Sequence, residues 1–183
     1  MGRIIVVEGR SCVGKSTLVD FLEGKHFTRM TEIIIPKHLG HYDGYINWTD
    51  PFDSFSETLA IANMYRVNCD IVTDGGLLAL LYFNKGDEKV QRYCREWLDF
   101  WISLLRKWDF ALVLCLTASG DLIRNRAISR GKDVSDWPDG EFERLFSEIP
   151  DDLGIDYEIK DYNWKWMDEV WGKIRDAESS RHM

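Results

Sequence analysis

Gly9-Arg10-Ser11-Cys12-Val13-Gly14-Lys15-Ser16 is a G-x-x-x-x-G-K-S run, and few eight-residue strings restrict a fold so tightly. Its glycines let the backbone double back until successive N–H groups converge on one point, which suits a chain of phosphates. The flanks agree with that reading. Residues 3–7, Arg-Ile-Ile-Val-Val, form a β-branched strand run, and Leu18, Val19 and Leu22 recur at helical spacing over residues 16–23. In a strand–loop–helix of this kind Gly9, Arg10, Ser11, Cys12, Val13 and Gly14 wrap a triphosphate and Lys15 reaches the β and γ phosphates. Ser16 then holds magnesium and Thr17 completes the nucleotide-binding set, so the expected ligands are ATP and Mg2+. The reaction stays open, because kinases, hydrolases and nucleotide-driven switches all use such a loop.

The rest of the chain alternates strand and helix. Short apolar strands are expected at residues 27–35, 69–73, 110–116 and 157–160, and helices at 55–66, from 77, at 91–107, 121–130 and 166–174. That alternation implies an α/β fold, a mostly parallel sheet with helices on both faces and ligands at the carboxyl ends of the strands. Trp97, Trp101, Leu104 and Leu105 form a stripe that reads as a buried helix face. Residues 37–53 hold His38, His41, Tyr42, Tyr45 and Trp48 without a steady period, as in a binding loop or short helices.

At 183 residues the chain is one domain, taken as residues 1–177, with residues 178–183 set aside as a frayed or cloning-derived tail. No apolar stretch approaches the ~20 residues a membrane crossing needs, and the start lacks a secretory pattern, so the expected place is the cytoplasm. Cys12, Cys69, Cys94 and Cys115 are scattered without a C-x-x-C pair, which argues against zinc and disulfides. With 31 acidic and 23 basic side chains the net charge is −8, so the surface as a whole repels a nucleic-acid backbone, although a local basic groove stays open.

Asp74 ends a strand, where a carboxylate can hold Mg2+ through water or assist an attacking hydroxyl; it can equally cap the helix that begins near Leu77. Arg124, Arg126 and Arg130 fall in one expected helix, Arg126 and Arg130 on the same face. They are placed either to neutralise a phosphoryl group in transfer or simply to face solvent. The polar residues 131–140 read as a mobile lid or a plain surface loop, giving a lid region of about 121–140.

These residues together resemble the thymidylate kinase and deoxynucleoside kinase group of P-loop proteins over nearly the whole chain. Val6-Val7-Glu8-Gly9 leading into Gly14-Lys15-Ser16-Thr17 is similar to the family's opening strand and loop, and Arg126-Ala127-Ile128-Ser129-Arg130-Gly131 to its R-x-x-x-R-G lid helix. Glu32 stands where deoxynucleoside kinases place the glutamate that takes the acceptor's proton, so the resemblance makes Glu32 a candidate base beside Asp74. Gly75 and Thr31 occupy positions where thymidylate kinases have arginines, and Ser11 one where their loop often has an acid. Arg10, Lys37, His38, His41 and Arg66 are candidate replacement cations, and Tyr42, Tyr45, Trp48, Phe52 and Phe55 candidate stacking surfaces for a base.

The resemblance implies an ATP-dependent kinase acting on a nucleoside or nucleoside monophosphate, with a deoxy-pyrimidine favoured. Lys15, Glu32, Asp74, Arg126 and Arg130 would be catalytic, and Ser16 and Asp74 would hold the metal. Two other readings stand beside it: a kinase for a hydroxymethylated base within DNA, and a nucleotide-binding switch with little turnover. A homodimer through the helix of Trp97 and Trp101 is a further expectation.

Overall fold

The computed structural model describes residues 2–30, 70–83, 88–132 and 140–181. Glu32, Thr31, the cations and aromatics expected between residues 37 and 66, Cys69 and most of the expected lid loop lie outside the described residues.

The described chain runs β1 (Arg3–Gly9), α1 (Lys15–Glu23), β2 (Phe27–Met30), β3 (Asp70–Asp74), α2 (Leu77–Phe83), α3 (Glu88–Leu105), β4 (Phe110–Ala118), α4 (Gly120–Ser129), α5 (Glu141–Phe146), β5 (Gly154–Ile159) and α6 (Lys165–Arg181). All strand pairings are parallel, in the order β2-β3-β1-β4-β5. The expected α/β sheet is therefore present. Its register aligns Val7 with Asp74 and Gly9 with Leu116, so β1, β3 and β4 deliver their carboxyl ends to one edge of the sheet.

Alternate residues of β1 serve two cores, as the period of two in a strand requires. Ile4 and Val6 pack with Leu78, Leu81, Trp101 and Leu145 on one face. Ile5 and Val7 pack with Leu18, Leu22, Ile123 and Val170 on the other. All of these side chains are buried, each worth roughly 1.5–3 kcal/mol in apolar area removed from water. Thus α2, α3 and α5 cover one face and α1, α4 and α6 the other.

Trp101 is 1% exposed, so the tryptophan stripe is core at that position and Trp101 is not available to pair two chains. The end of the chain also differs from expectation. α6 continues to Arg181, because Glu178 pairs with Arg3 at 3.1 Å while Arg181 donates to the Ala111 carbonyl at 2.6 Å and stacks on Phe110. Residues set aside as a tail thus close the ends of the chain together. Among the described residues no helix is long and apolar enough to cross a membrane.

Candidate active site

β1 ends at Gly9 and the loop Arg10–Gly14 turns directly into α1, whose N-cap is Gly14, with no side-chain cap and no acid in the first turn. The free N–H groups and the positive end of the helix dipole are thus left for an anion. Lys15 folds over the loop, its ammonium donating to the carbonyls of Gly9 at 2.9 Å and Arg10 at 3.2 Å. Cys12 adopts φ 63°, a left-handed conformation that costs a non-glycine residue of the order of 1–2 kcal/mol. The loop is held in this shape from outside by Tyr162, whose hydroxyl donates to the Val13 carbonyl at 3.0 Å and lies 3.5 Å from that of Cys12.

Ser16 and Asp74, 58 positions apart in sequence, meet at the sheet edge, where the Ser16 hydroxyl donates to Asp74 Oδ2 at 2.6 Å. Asp74 is 3% exposed, and its Oδ1 is buried without a hydrogen-bond partner. An orphaned carboxylate oxygen beside a hydroxyl is an oxygen donor set that suits magnesium, so these two residues fit the ion that the motif implies. The alternative of Asp74 as helix cap is not what the contacts show. The N–H of Leu78, at the start of α2, goes to Glu8 Oε1 at 3.2 Å instead.

Glu8 is a site residue whose role the sequence did not disclose. It sits on β1 two positions before the loop and is 0% exposed, with Oε2 lacking a partner. Burial pushes its carboxyl up to about 7, against the opposing pull of the Lys15 charge and of the N–H groups of Leu78, Gly76 and Ala79. Gly76 admits this approach, since a Cβ there would stand 2.7 Å from Glu8 Oε1. The glutamate therefore ties β1, which leads into the loop before Lys15, to the corner that follows Asp74. The glycine after the strand, next to Gly75, was the available signal, but nothing local identifies its partner.

Arg29 also escaped the sequence reading. It lies on β2 opposite Val72 and brings its guanidinium to 3.8 Å from Asp74 Oδ2, while Asp20 at 2.5 Å and Glu23 at 3.7 Å hold it from α1.

On the other side of the loop Arg126 donates to the Thr17 hydroxyl at 2.8 Å and stacks its guanidinium 4.3 Å above the Tyr162 ring. Its second nitrogen is buried without a hydrogen-bond partner and presses on the loop, 3.1 Å from where a Gly14 Cβ would be. Arg130 caps the end of α4 and is exposed, and its charge joins that of Arg126 in acting on Tyr162, whose hydroxyl pKa burial nonetheless pushes up. Arg124 is exposed as well. Arg10, proposed from sequence as an acceptor cation, is 5% exposed and directed at Glu143, 3.9 Å away, and the Ala118 carbonyl at 3.4 Å. The structure therefore brings together Gly9 to Thr17, Asp74 and Arg126, with Arg130 at the margin.

No protein-family model matches the chain, and no curated protein matches it in sequence. Solved structures do match the fold. The YorR protein from Bacillus subtilis, solved in complex with phosphorylated GDP, aligns over 98% of this chain and 98% of its own at 16% identity and a TM-score of 0.59. Thymidylate kinase from Candida albicans aligns over 100% of this chain and 94% of its own, at 17% identity and 0.54. Deoxyadenosine kinase from M. mycoides, with dCMP and dCDP bound, aligns over 94% and 99% at 14% identity and 0.56, and a gluconokinase from Sinorhizobium meliloti shares the fold at 0.50. With the Gly9–Ser16 loop and the Ser16–Asp74 pair at the edge of a parallel sheet and Arg126 of α4 packed against the loop, the chain has the fold of the P-loop kinases, with thymidylate and deoxyadenosine kinases among its structural neighbours.

Proposed function

We propose that the chain is an ATP-dependent phosphotransferase that moves the γ-phosphoryl group to a nucleoside or nucleoside monophosphate. The observation that carries this reading is the convergence of Lys15, Ser16 and the buried Asp74 at the end of a parallel sheet, with Arg126 bonded to the adjacent Thr17. Lys15 and the N–H groups at the start of α1 hold the β and γ phosphates. Ser16 and Asp74 hold Mg2+, which when bound supplies positive charge to the phosphate oxygens. Arg126 and Arg130 neutralise the equatorial oxygens as the phosphoryl group moves. The acceptor oxygen then forms a bond to the γ phosphorus, the bond to the ADP oxygen breaks, and the proton of an attacking hydroxyl passes to Glu32 or Asp74. Tyr162 keeps Arg126 and the loop in one arrangement, which removes part of the entropic cost of assembling the donor site.

The nucleoside or nucleotide acceptor rests on the resemblance and on the structural neighbours, two of which bear nucleotide or nucleoside kinase names. The test follows γ-labelled ATP into a panel of nucleosides, nucleoside monophosphates, sugars and hydroxymethylated oligonucleotides, with Lys15→Ala as the blank. Lys15-dependent label on a nucleoside or its monophosphate is the expected result. Label confined to a sugar or an oligonucleotide would replace the acceptor, and ATP binding with no labelled product would leave a nucleotide-binding switch.

A further inference from the structure

We propose that the outer edge of β5 docks an extended, basic segment of another protein, which joins the sheet as a further strand. β5 stands last in the order β2-β3-β1-β4-β5, and among the described residues no strand pairs with its far side. The Val113 N–H donates to the Leu153 carbonyl at 2.8 Å, and the register sets Val113 opposite Gly154. Alternation along a parallel ladder then points the N–H and C=O groups of Gly154, Asp156 and Glu158 away from β4. These groups form the row of donors and acceptors that an incoming strand requires.

A groove flanks this edge on each face of the sheet. On the side of α5, one of about 410 Å3 runs over Cys115 and Thr117 of β4, between Asp156 and the residues Phe146, Ile149 and Asp151. On the side of α6, one of about 450 Å3 lies against Tyr157 and Trp166, walled by Glu158, Asp161 and Glu169. Side chains of an added strand alternate between the two faces, so successive residues enter opposite grooves. Charge selects their kind. Lys160 and Lys173 line the second groove, and among the described residues no Lys or Arg lines the first, where Arg10 faces Glu143 at 3.9 Å and Arg106 nearby is paired with Asp152 at 2.8 Å. Asp151, Asp156, Glu158, Asp161 and Glu169 have no ion-pair partner among the described residues, and Glu169 accepts only the neutral Tyr157 hydroxyl, at 2.5 Å. Six carboxylates including Glu143 thus face three cations. A lysine or arginine suits the first groove, its stem on Phe146 and Ile149 and its charge at Asp151 and Asp156. A second copy of this chain is the wrong occupant, because β5 paired with itself would set like carboxylates against one another. Charged side chains also guard an edge against aggregation, but a guarded edge has no need of a groove on either face.

The test separates strand addition from plain attraction between a basic peptide and a chain of net charge −8. A fluorescein-labelled nonapeptide, Arg-Lys-Val repeated three times, is titrated into the full chain at physiological salt and followed by fluorescence anisotropy. Its partner probe has proline in place of each valine, which keeps the charge and removes the N–H groups and extended pairing that a ladder uses. The valine peptide is expected to bind at least tenfold more tightly than the proline peptide. Asp156→Asn combined with Glu158→Gln should weaken it at least fivefold, whereas Glu96→Gln combined with Asp99→Asn, the same loss of charge on exposed positions of α3, should leave it unchanged. Amide hydrogen exchange supplies the structural readout: the N–H groups of Asp156 and Glu158 should exchange at least tenfold more slowly once the valine peptide is bound. Equal binding of the two peptides, equal losses in the two double variants, or unchanged exchange at Asp156 and Glu158 would each reduce the effect to general charge attraction and overturn the proposal. Absence of binding at physiological salt overturns it too, as does a dimer in sedimentation whose Asp156 and Glu158 amides are already protected without peptide, since a second copy then holds the edge.

Discussion

Glu8 is a buried carboxylate, and the free energy of keeping it there depends on pH. Its pKa in the folded chain is raised from 4.5 to about 7, chiefly by burial, so the folded state holds the proton more firmly than the unfolded chain does. The stability from this group is therefore fully present below about pH 4.5 and is lost as pH rises through about 7, after which the loss is complete. A shift of this size corresponds to roughly 3 kcal/mol at most across that window. Glu8→Gln keeps an acceptor for the α2 N–H groups and removes the titration. Its melting temperature relative to the parent should rise between pH 5 and pH 8, and a gap that stays constant would show that the carboxyl does not titrate in that range. Neither Glu8 nor Arg29 could be assigned its role from sequence, because each acts through partners set by strand register. Glu8 meets Leu78 across 70 positions and Arg29 meets Asp74 across 45, and no local pattern encodes such distances.

Arg126 on α4 and Arg130 at its C-cap stand in different surroundings. Arg126 is bonded to Thr17 and stacked on Tyr162, whereas Arg130 stands exposed at the end of the helix. Arg130→Ala is expected to lower turnover more than ATP affinity, by tenfold or more in kcat, and Arg126→Ala to weaken ATP binding as well, as separate measurements of Kd and kcat would show. Equal losses in both quantities for Arg130→Ala would remove its assignment to the transition state. The regular elements were largely visible beforehand, because β1 and β4 are nearly unbroken apolar runs of the kind a doubly covered parallel strand requires. The six-residue α5 follows the polar residues 131–140 and is too short for a periodic pattern to identify, although Phe142 and Leu145 are buried at helical spacing. β5 begins at Gly154, ahead of the expected residue 157, because Gly154 and Ile155 are half-buried and Asp156 is exposed, as suits a strand at the edge of the described sheet.

At the scale of the whole molecule the two ends of the chain meet, since Arg3 on β1 joins both Asp70 on β3 and Glu178 on α6. The sheet order also puts β1 in the middle, hydrogen-bonded along β3 on one side and along β4 on the other. Amide protons in such a strand are released only when the sheet itself comes apart. The amides of Ile5 to Val7, with those of Leu112 to Leu114 beside them, should thus be among the slowest to exchange with deuterium, at rates set by global unfolding. Exchange at β1 as fast as at the edge strand β5 would contradict this. A phosphate-gripping loop is commonly pictured as a flexible wrap that closes on its ligand. Here the loop grows directly from the middle strand of the sheet, so under the proposed reading the shape of the grip is dictated by the same hydrogen bonds that hold the core together.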